Sequence, residues 1–171
     1  MEYKIQPATA VDVPALNKLV NSAYRGESSK KGWASEADLL DGTRIDEAAL
    51  LDLINDQNTT ILKYTEDGAP LGCVELRKVG TGMYLGMLSV QPEIQAKGIG
   101  KKLMFAGEEF ARHQKCKKMS MTVISVRDKL IEWYERHGYR LTGERKPFIM
   151  PDERWGIPKQ QLEFVVLEKE L

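Results

Sequence analysis

Hydrophobic residues recur along the chain with two periods, which separate the predicted helices from the predicted strands. Apolar residues three and four positions apart predict amphipathic helices. Long helical patterns run from about Val13 to Tyr24 and from after Asp46 to near Asn55, a third begins at Ile99, and Asp128 is expected to cap a fourth. A shorter helix, with Ser35 as its cap candidate, is predicted through Leu40. In the helix that begins at Ile99, Glu108 is expected on the solvent-facing side.

Seven stretches show the alternation or the apolar runs of β-strands. They are Tyr3–Gln6, Thr59–Thr65, Leu71–Arg77, Met83–Val90, Met119–Ile124, Tyr139–Glu144 and Gln161–Leu167. A helix separates the fourth and fifth, so these two can pair in parallel through a right-handed crossover. The order β-α-α-β-β-β-α-β-α-β-β predicts an α/β (α+β) fold, with a mixed, mostly antiparallel sheet of six to seven strands flanked by about four helices.

The turn within Val90–Leu103 has the composition of an anion-binding cradle. Gly98 and Gly100 permit a tight turn, and the amides of the first helical turn that follows have no partners within the helix. Those amides and the helix dipole favour an anion, and Lys97, Lys101 and Lys102 add positive charge. A pyrophosphate would suit this place. The alternative is a strand that simply turns into a helix through two glycines.

Two familiar nucleotide motifs do not fit this turn. A P-loop needs a hydroxyl residue after Gly-Lys, but Gly100 is followed by Lys101 and Lys102. A dinucleotide fingerprint needs a third glycine where this chain has Leu103.

Composition excludes several classes of protein. The 25 basic and 25 acidic residues balance, so no overall charge favours a nucleic acid or a membrane surface as partner. Cys73 and Cys116 are too few for a disulfide scaffold or a zinc site and are expected to be reduced and packed, and no metal is expected. Neither a signal peptide nor a membrane span is apparent. The sequence predicts a cytoplasmic protein of one domain.

Two motifs, in this order, resemble those of the GNAT N-acetyltransferase superfamily. The first is Gln95-x-x-Gly98-x-Gly100 after a strand that ends at Val90, and the second is Ser125–Tyr139, a helix with a tyrosine that closes with Gly-Tyr. The resemblance covers nearly the whole chain. It implies a single GNAT domain over residues 1–171 and an acetyl-CoA-dependent N-acetyltransferase that acts on an amine.

The same resemblance implies how the coenzyme is held. The pantetheine arm would pair with Leu88, Ser89 and Val90, and a backbone N–H at Leu88 or Ser89 would polarise the thioester carbonyl. The pyrophosphate would lie on Gln95 and on the amides from Ala96 to Lys101, which include those of Lys97, Gly98, Ile99 and Gly100. Arg127 stands where many family members have an asparagine, so it would contact a phosphate or a substrate carboxylate instead.

The catalytic candidates are a tyrosine and a glutamate. Tyr134 stands where the family motif has its general acid, and a phenol with a pKa near 10 suits a leaving thiolate of pKa about 8.5. The alternative for Tyr134 is a packed aromatic residue. Glu75 is a charged residue in an apolar strand and could take the amine proton, or it could be a solvent-facing strand residue.

The acceptor amine is expected between two loops, Tyr24–Asp41 and Glu144–Pro158. These loops offer Tyr24, Trp33, Glu36 and Phe148, and carboxylates and aromatic rings suit a cationic amine. The residues do not separate a polyamine, an amino acid, a small drug-like amine or a peptide N-terminus. Two other hypotheses stay open: a non-catalytic acyl-CoA sensor, and an interaction protein that uses the Trp33 loop. Each is compatible with a homodimer.

Overall fold

The computed structural model describes residues 2–24, 40–41, 44–147, 157–158 and 162–171. Its helices and strands follow one another in the predicted order, with two short additional strands. The elements are β1 (Tyr3–Pro7), α1 (Val13–Tyr24), β2 (Leu40–Asp41), α2 (Glu47–Asn55), β3 (Thr59–Glu66), β4 (Ala69–Val79), β5 (Gly82–Val90), α3 (Ile99–His113), β6 (Lys118–Ile124), α4 (Asp128–Arg136), β7 (Arg140–Pro147), β8 (Ile157–Pro158) and β9 (Glu163–Glu170).

A seven-stranded sheet in the order β1-β3-β4-β5-β6-β9-β7 is the centre of the fold. The pair β5 and β6 is parallel and every other pair of neighbours is antiparallel, which confirms the mixed, mostly antiparallel sheet. The crossover from β5 to β6 contains α3, as the spacing of the two strands predicted. β2 and β8 form a separate two-stranded sheet.

Each face of the sheet is covered by helices, because each face of β4 and β5 is apolar. On one face Val74 and Leu76 of β4 pack with Ile99 and Leu103 of α3. On the other face Cys73 and Met87 pack with residues of α1 and α2. The prediction that β5 is buried on both faces is confirmed. Both cysteines are free and buried, as expected.

Three local predictions from the helical pattern are wrong. Leu40 lies in strand β2 rather than in a helix, and residues 35–39 of the predicted short helix lie outside the described residues. Asp128 is the first residue of α4, and Arg127 occupies the cap position without a capping side-chain bond. Glu108 is buried because its carboxylate binds Tyr139 and Lys169, which are far from it in sequence.

Candidate active site

The central strands of the sheet separate along part of their length. β5 and β6 pair only at Gly82–Lys118, Met83–Met119 and Tyr84–Ser120. Beyond these pairs β5 continues along β4 and β6 continues along β9. The opening between Leu85–Val90 and Met121–Ile124 is called the notch below.

A bulge in β5 lies at the notch. Cys73 pairs with Ser89 and Glu75 pairs with Gly86, so β5 has one more residue than β4 between these pairs. Within this stretch Met87 has φ 52°, an unusual value for a residue with a side chain. A bulge bends its strand and increases its twist. The bend accounts for the separation of β5 from β6.

The segment predicted to hold the pantetheine arm lines the β5 side of the notch. Leu88, Ser89 and Val90 are buried. The Tyr24 hydroxyl, at the end of α1, donates a 2.8 Å hydrogen bond to the Leu88 carbonyl. Tyr24 was predicted as a substrate residue, and the structure brings it against the segment predicted to bind the coenzyme. It is therefore close to the expected reaction centre.

The glycine turn has the form expected of an anion cradle. A 3₁₀ helix over Pro92–Lys97 leads to Gly98, which has φ 74° and precedes the first residue of α3. Glycine adopts this left-handed conformation at little cost, and a Cβ at Gly98 would have no atom within 4 Å. The first-turn amides of α3, which follow Gly98 directly, have no acceptor within the helix. A pyrophosphate fits this arrangement, with Lys97 and Lys101 exposed beside it.

One of the lysines predicted at the cradle, Lys102, has its side chain directed elsewhere. The Lys102 ammonium lies 4.5 Å from the centre of the Tyr3 ring, so it is directed toward β1. Ile99 and Gly100 are buried, and they contribute backbone amides rather than side chains to the turn. Gln95 and Ala96 belong to the 3₁₀ helix, and their side chains are outside the described part of the chain.

Tyr134 lies on α4 with its ring between those of Trp133 and Tyr139. It is 5% exposed, and burial raises the pKa of its hydroxyl well above the usual value of 10. Tyr24 and Tyr84 are close enough to raise this pKa further, and Arg127 is close enough to lower it. Three tyrosines, from α1, β5 and α4, therefore approach one another at the notch. Arg127 is half-buried beside them.

Tyr84 and Thr122 are site residues that the sequence analysis missed. The Tyr84 hydroxyl and Thr122 Oγ1 are 3.0 Å apart, across the end of the notch where the pairing of β5 and β6 stops. Tyr84 is a polar aromatic residue in an otherwise apolar strand, which was the available signal. Thr122 gave no comparable signal, because its role depends on the register between two strands.

Glu75 is on the face of the sheet that α1 and α2 cover. It is 7% exposed, which excludes the solvent-facing alternative. Burial raises the pKa of its carboxyl, while the positive charges of Arg77 and Arg44 oppose this rise. Its cross-strand neighbour is Gly86. A Cβ at Gly86 would lie 2.8 Å from Tyr84 Cε1 and 3.2 Å from Glu75 Oε1, so the glycine leaves space between these two side chains.

The remaining substrate candidates, Trp33, Glu36 and Phe148, lie outside the described residues. The structure nevertheless joins the ends of the two loops that carry them. Leu40 pairs with Pro158, and Asp41 pairs with Ile157. The two loops predicted to flank the acceptor therefore meet in one small sheet.

Two further properties concern only the described part of the chain. None of its helices is long and apolar enough to span a membrane. No group of three or more His, Cys, Asp and Glu side chains in the same residues is arranged to hold a metal ion.

Comparison with known proteins identifies the family. The model of the acetyltransferase (GNAT) family matches residues 15–139. Comparison with curated proteins gave no match.

Solved structures share the fold at low sequence identity. The ribosomal-protein-S18-alanine N-acetyltransferase from Escherichia coli has a TM-score of 0.74 and 12% identity, with 99% of this chain and 94% of that chain covered. PaiA N-acetyltransferase from Thermoplasma acidophilum, solved with coenzyme A, has a TM-score of 0.71 and 18% identity over 100% of both chains. YncA from Salmonella typhimurium, solved with acetyl-CoA, has a TM-score of 0.73 and 18% identity, with 100% of this chain and 95% of that chain covered.

The family match includes β5 with the notch, the glycine turn and Tyr134. The chain is therefore an acyltransferase that belongs to the acetyltransferase (GNAT) family.

Proposed function

We propose that the protein transfers an acetyl group from acetyl-CoA directly to a primary amine of a small molecule or peptide. The observation that carries this proposal is the notch between β5 and β6. Tyr134 approaches the notch from α4, on one face of the sheet. Glu75 is buried beside the notch on the other face of the sheet. A proton donor and a proton acceptor on either side of a cleft are what amide formation from a thioester requires. We also propose that residues 1–171 form one domain.

The chain has two places for the coenzyme, and their residues fit it. The open space at Gly98 and the amides of the first turn of α3 suit a pyrophosphate. The register of β5 with β6 ends at Tyr84, and the segment beyond it at Leu88 and Ser89 suits an extended arm that carries amide groups. When bound, the coenzyme supplies an activated acetyl thioester. A backbone N–H at Leu88 or Ser89 would stabilise negative charge on its carbonyl oxygen.

Tyr134 is the proposed proton donor for the departing thiolate. Its raised pKa keeps the hydroxyl protonated throughout the physiological range. The same raised pKa weakens the driving force for transfer to a thiolate of pKa about 8.5. Arg127 acts against this disadvantage, because its positive charge lowers the pKa of Tyr134.

Glu75 is the proposed proton acceptor for the amine, directly or through water. A carboxylate with an ordinary pKa is a weak base at neutral pH, and burial raises the pKa of Glu75 toward the range in which general bases work well. Gly86, the cross-strand neighbour of Glu75, has no side chain that would crowd its Oε1 atom.

Calorimetric titration with acetyl-CoA and CoA, followed by a thiol-release screen over several classes of amine, tests the proposal. We expect micromolar binding, which corresponds to about −8 kcal/mol, and release of CoA with at least one class. Tyr134→Phe should lower kcat about 100-fold with the Kd of acetyl-CoA unchanged. Tyr64→Phe, a change at another buried tyrosine, is the matched control.

Two results would contradict parts of this proposal. Binding without CoA release from any amine would favour the acyl-CoA sensor. A Tyr134→Phe variant with the wild-type rate would show that Tyr134 is a packed aromatic residue and not the acid.

A further inference from the structure

Two arginines flank the proposed base on the face of the sheet covered by α1 and α2. Arg77 Nη1 lies 3.8 Å from Glu75 Oε2. The guanidinium carbon of Arg77 is 4.8 Å from the centre of the Tyr84 ring, and that of Arg44 is 5.4 Å from the centre of the Tyr24 ring. Arg44 is also close enough to Glu75 for its charge to lower the pKa of that carboxyl. Both guanidiniums therefore lie beside the tyrosines of the notch.

Glu75 lies among two guanidiniums and one further carboxylate. Glu75 is the one buried carboxylate that faces both guanidiniums among the described residues. The other carboxylate whose charge reaches it is Asp56, at the end of α2. Asp56 is exposed and accepts hydrogen bonds from the Asn58 amide and the Thr59 hydroxyl. Solvent screens the charges of both Asp56 and Arg77, which are exposed, but Asp56 already accepts two hydrogen bonds, whereas Arg77 has no oxygen acceptor at hydrogen-bond distance among the described residues.

Arg77 retains capacity to bind a ligand. A guanidinium has five N–H donors, and a distance of 3.8 Å to Glu75 is longer than a hydrogen bond. Its second contact in the described residues is with the Tyr84 ring, and this contact uses no oxygen acceptor. The Arg77 side chain is 44% exposed, so a ligand can reach it.

We infer that the acceptor is an amine that also carries a carboxylate, as an amino acid does, and that Arg77 and Arg44 bind this carboxylate while Glu75 faces the amine. The inference rests on the proposed function. Guanidinium groups bind carboxylates strongly because two parallel N–H donors match the two oxygens. A second ammonium, as in a polyamine, would instead meet two like charges. The described residues thus favour an anionic partner group, in contrast to the cationic acceptor that the loop sequences suggested.

The positive charge of the two guanidiniums would also assist the reaction. Nearby positive charge disfavours the ammonium form of a bound amine, and only the neutral amine has the free electron pair needed for attack. In transfer, a bond forms between the amine nitrogen and the acetyl carbon, the carbon–sulfur bond breaks, one amine proton passes to Glu75 and the proton of Tyr134 passes to sulfur. Both Arg44 and Arg77 remain charged throughout.

Matched pairs of amines test this inference: free amino acids against the corresponding amino acid amides, in the same thiol-release assay. Each pair has the same side chain and the same α-amine position, and only the carboxylate differs. We expect kcat/KM for the free acid to exceed that for the amide at least 10-fold. Because amino acid amides have a lower amine pKa and more neutral amine at pH 7.5, this preference would not arise from amine basicity.

Variants of the two arginines test whether they bind the carboxylate of the acceptor. In Arg77→Met and in Arg44→Met, the ratio of kcat/KM for acid over amide should fall about 10-fold, with the Kd of acetyl-CoA unchanged. Lys78→Met, a change at the exposed neighbour of Arg77 on the other face of β4, should keep the wild-type ratio.

The outcomes separate this inference from the proposed function. Equal or greater rates with amides or with diamines would overturn the inference and leave the acetyltransferase proposal intact. An acid preference that survives both arginine changes would overturn the roles of Arg77 and Arg44. A failure of every amine to release CoA would overturn the proposed function, and this inference with it.

Discussion

The Tyr139 hydroxyl donates a 2.8 Å hydrogen bond to Glu108 Oε2, and both residues are buried. The Lys169 ammonium lies 3.1 Å from each oxygen of the same carboxylate. This network joins Glu108 of α3 and Lys169 of β9 to Tyr139, which follows Gly138 after the end of α4. Because the Tyr139 ring packs edge-on against Tyr134 at 5.9 Å, the network holds the helix that carries the proposed acid.

Removing the Tyr139 hydroxyl should destabilise the protein. Tyr139→Phe deprives a buried carboxylate of one donor, and a hydrogen bond to a charged group contributes about 1.5–3 kcal/mol. The free energy of unfolding, measured with urea, should fall by about 2 kcal/mol. Tyr3→Phe is the control, because Tyr3 is exposed and its ring contacts persist in phenylalanine. Equal stability of both variants would show that the Tyr139 bond has no net effect.

The raised pKa of Glu75 predicts a dependence of stability on pH. The folded protein holds this proton more tightly than the unfolded chain, whose glutamates titrate near 4.5. The stabilising contribution is therefore fully present below pH 4.5 and is lost as the pH rises through the folded-state pKa. Glu75→Gln should remove this loss, so the variant should be more stable than the wild type at pH 8 while its turnover falls. A lower stability at pH 8 would contradict the prediction.

A variant at Gly98 can distinguish the stability cost of backbone strain from an effect on acetyl-CoA binding. Gly98→Ala forces a left-handed conformation on a residue with a side chain, at a cost of about 1 kcal/mol. Gly68→Ala is a matched control, since Gly68 also has a positive φ and open space around it but lies in the turn between β3 and β4. Both variants should lose similar stability in urea. Calorimetry should show weaker acetyl-CoA binding, by about 10-fold, only for Gly98→Ala, and equal binding would exclude the cradle.

Gly86 should matter for turnover rather than for coenzyme binding. A methyl group at this position would crowd Tyr84 and Glu75, so at least one of them must move. Gly86→Ala should therefore lower kcat at least 10-fold with a nearly unchanged Kd for acetyl-CoA, measured by thiol release and by calorimetry. Gly107→Ala is the control, because the added methyl would meet the end of the flexible Leu76 side chain, away from the notch. An unaffected kcat in Gly86→Ala would place the reaction elsewhere.

Local periodicity was sufficient for most of the fold. The α1 range of Val13–Tyr24, the burial of β5 on both faces and the parallel pairing of β5 with β6 all follow from patterns within a few tens of residues. The glycine turn and the tyrosine before Gly138 were also recognisable, because each is a short contiguous motif. These motifs were enough to indicate the family.

The features that periodicity missed depend on distant partners. Glu108 appears as a surface residue on α3 until Lys169, 61 residues away, is placed beside it. Tyr84 and Thr122 meet because the last registered pair of β5 and β6 brings them together. Arg44 and Arg77 come from different elements and share only a neighbour, Glu75. Such sites require knowledge of register and packing, which a single sequence does not supply.

The notch also creates a strand edge inside the molecule. The register of β5 with β6 ends at Tyr84, and unpaired strand edges are ordinarily templates for aggregation. Here the neighbouring strand β6 stands across the opening and is paired with β9, so this edge lies within the sheet rather than at its outer rim. The same geometry that prepares β5 for its ligand therefore protects the protein from self-association through that edge.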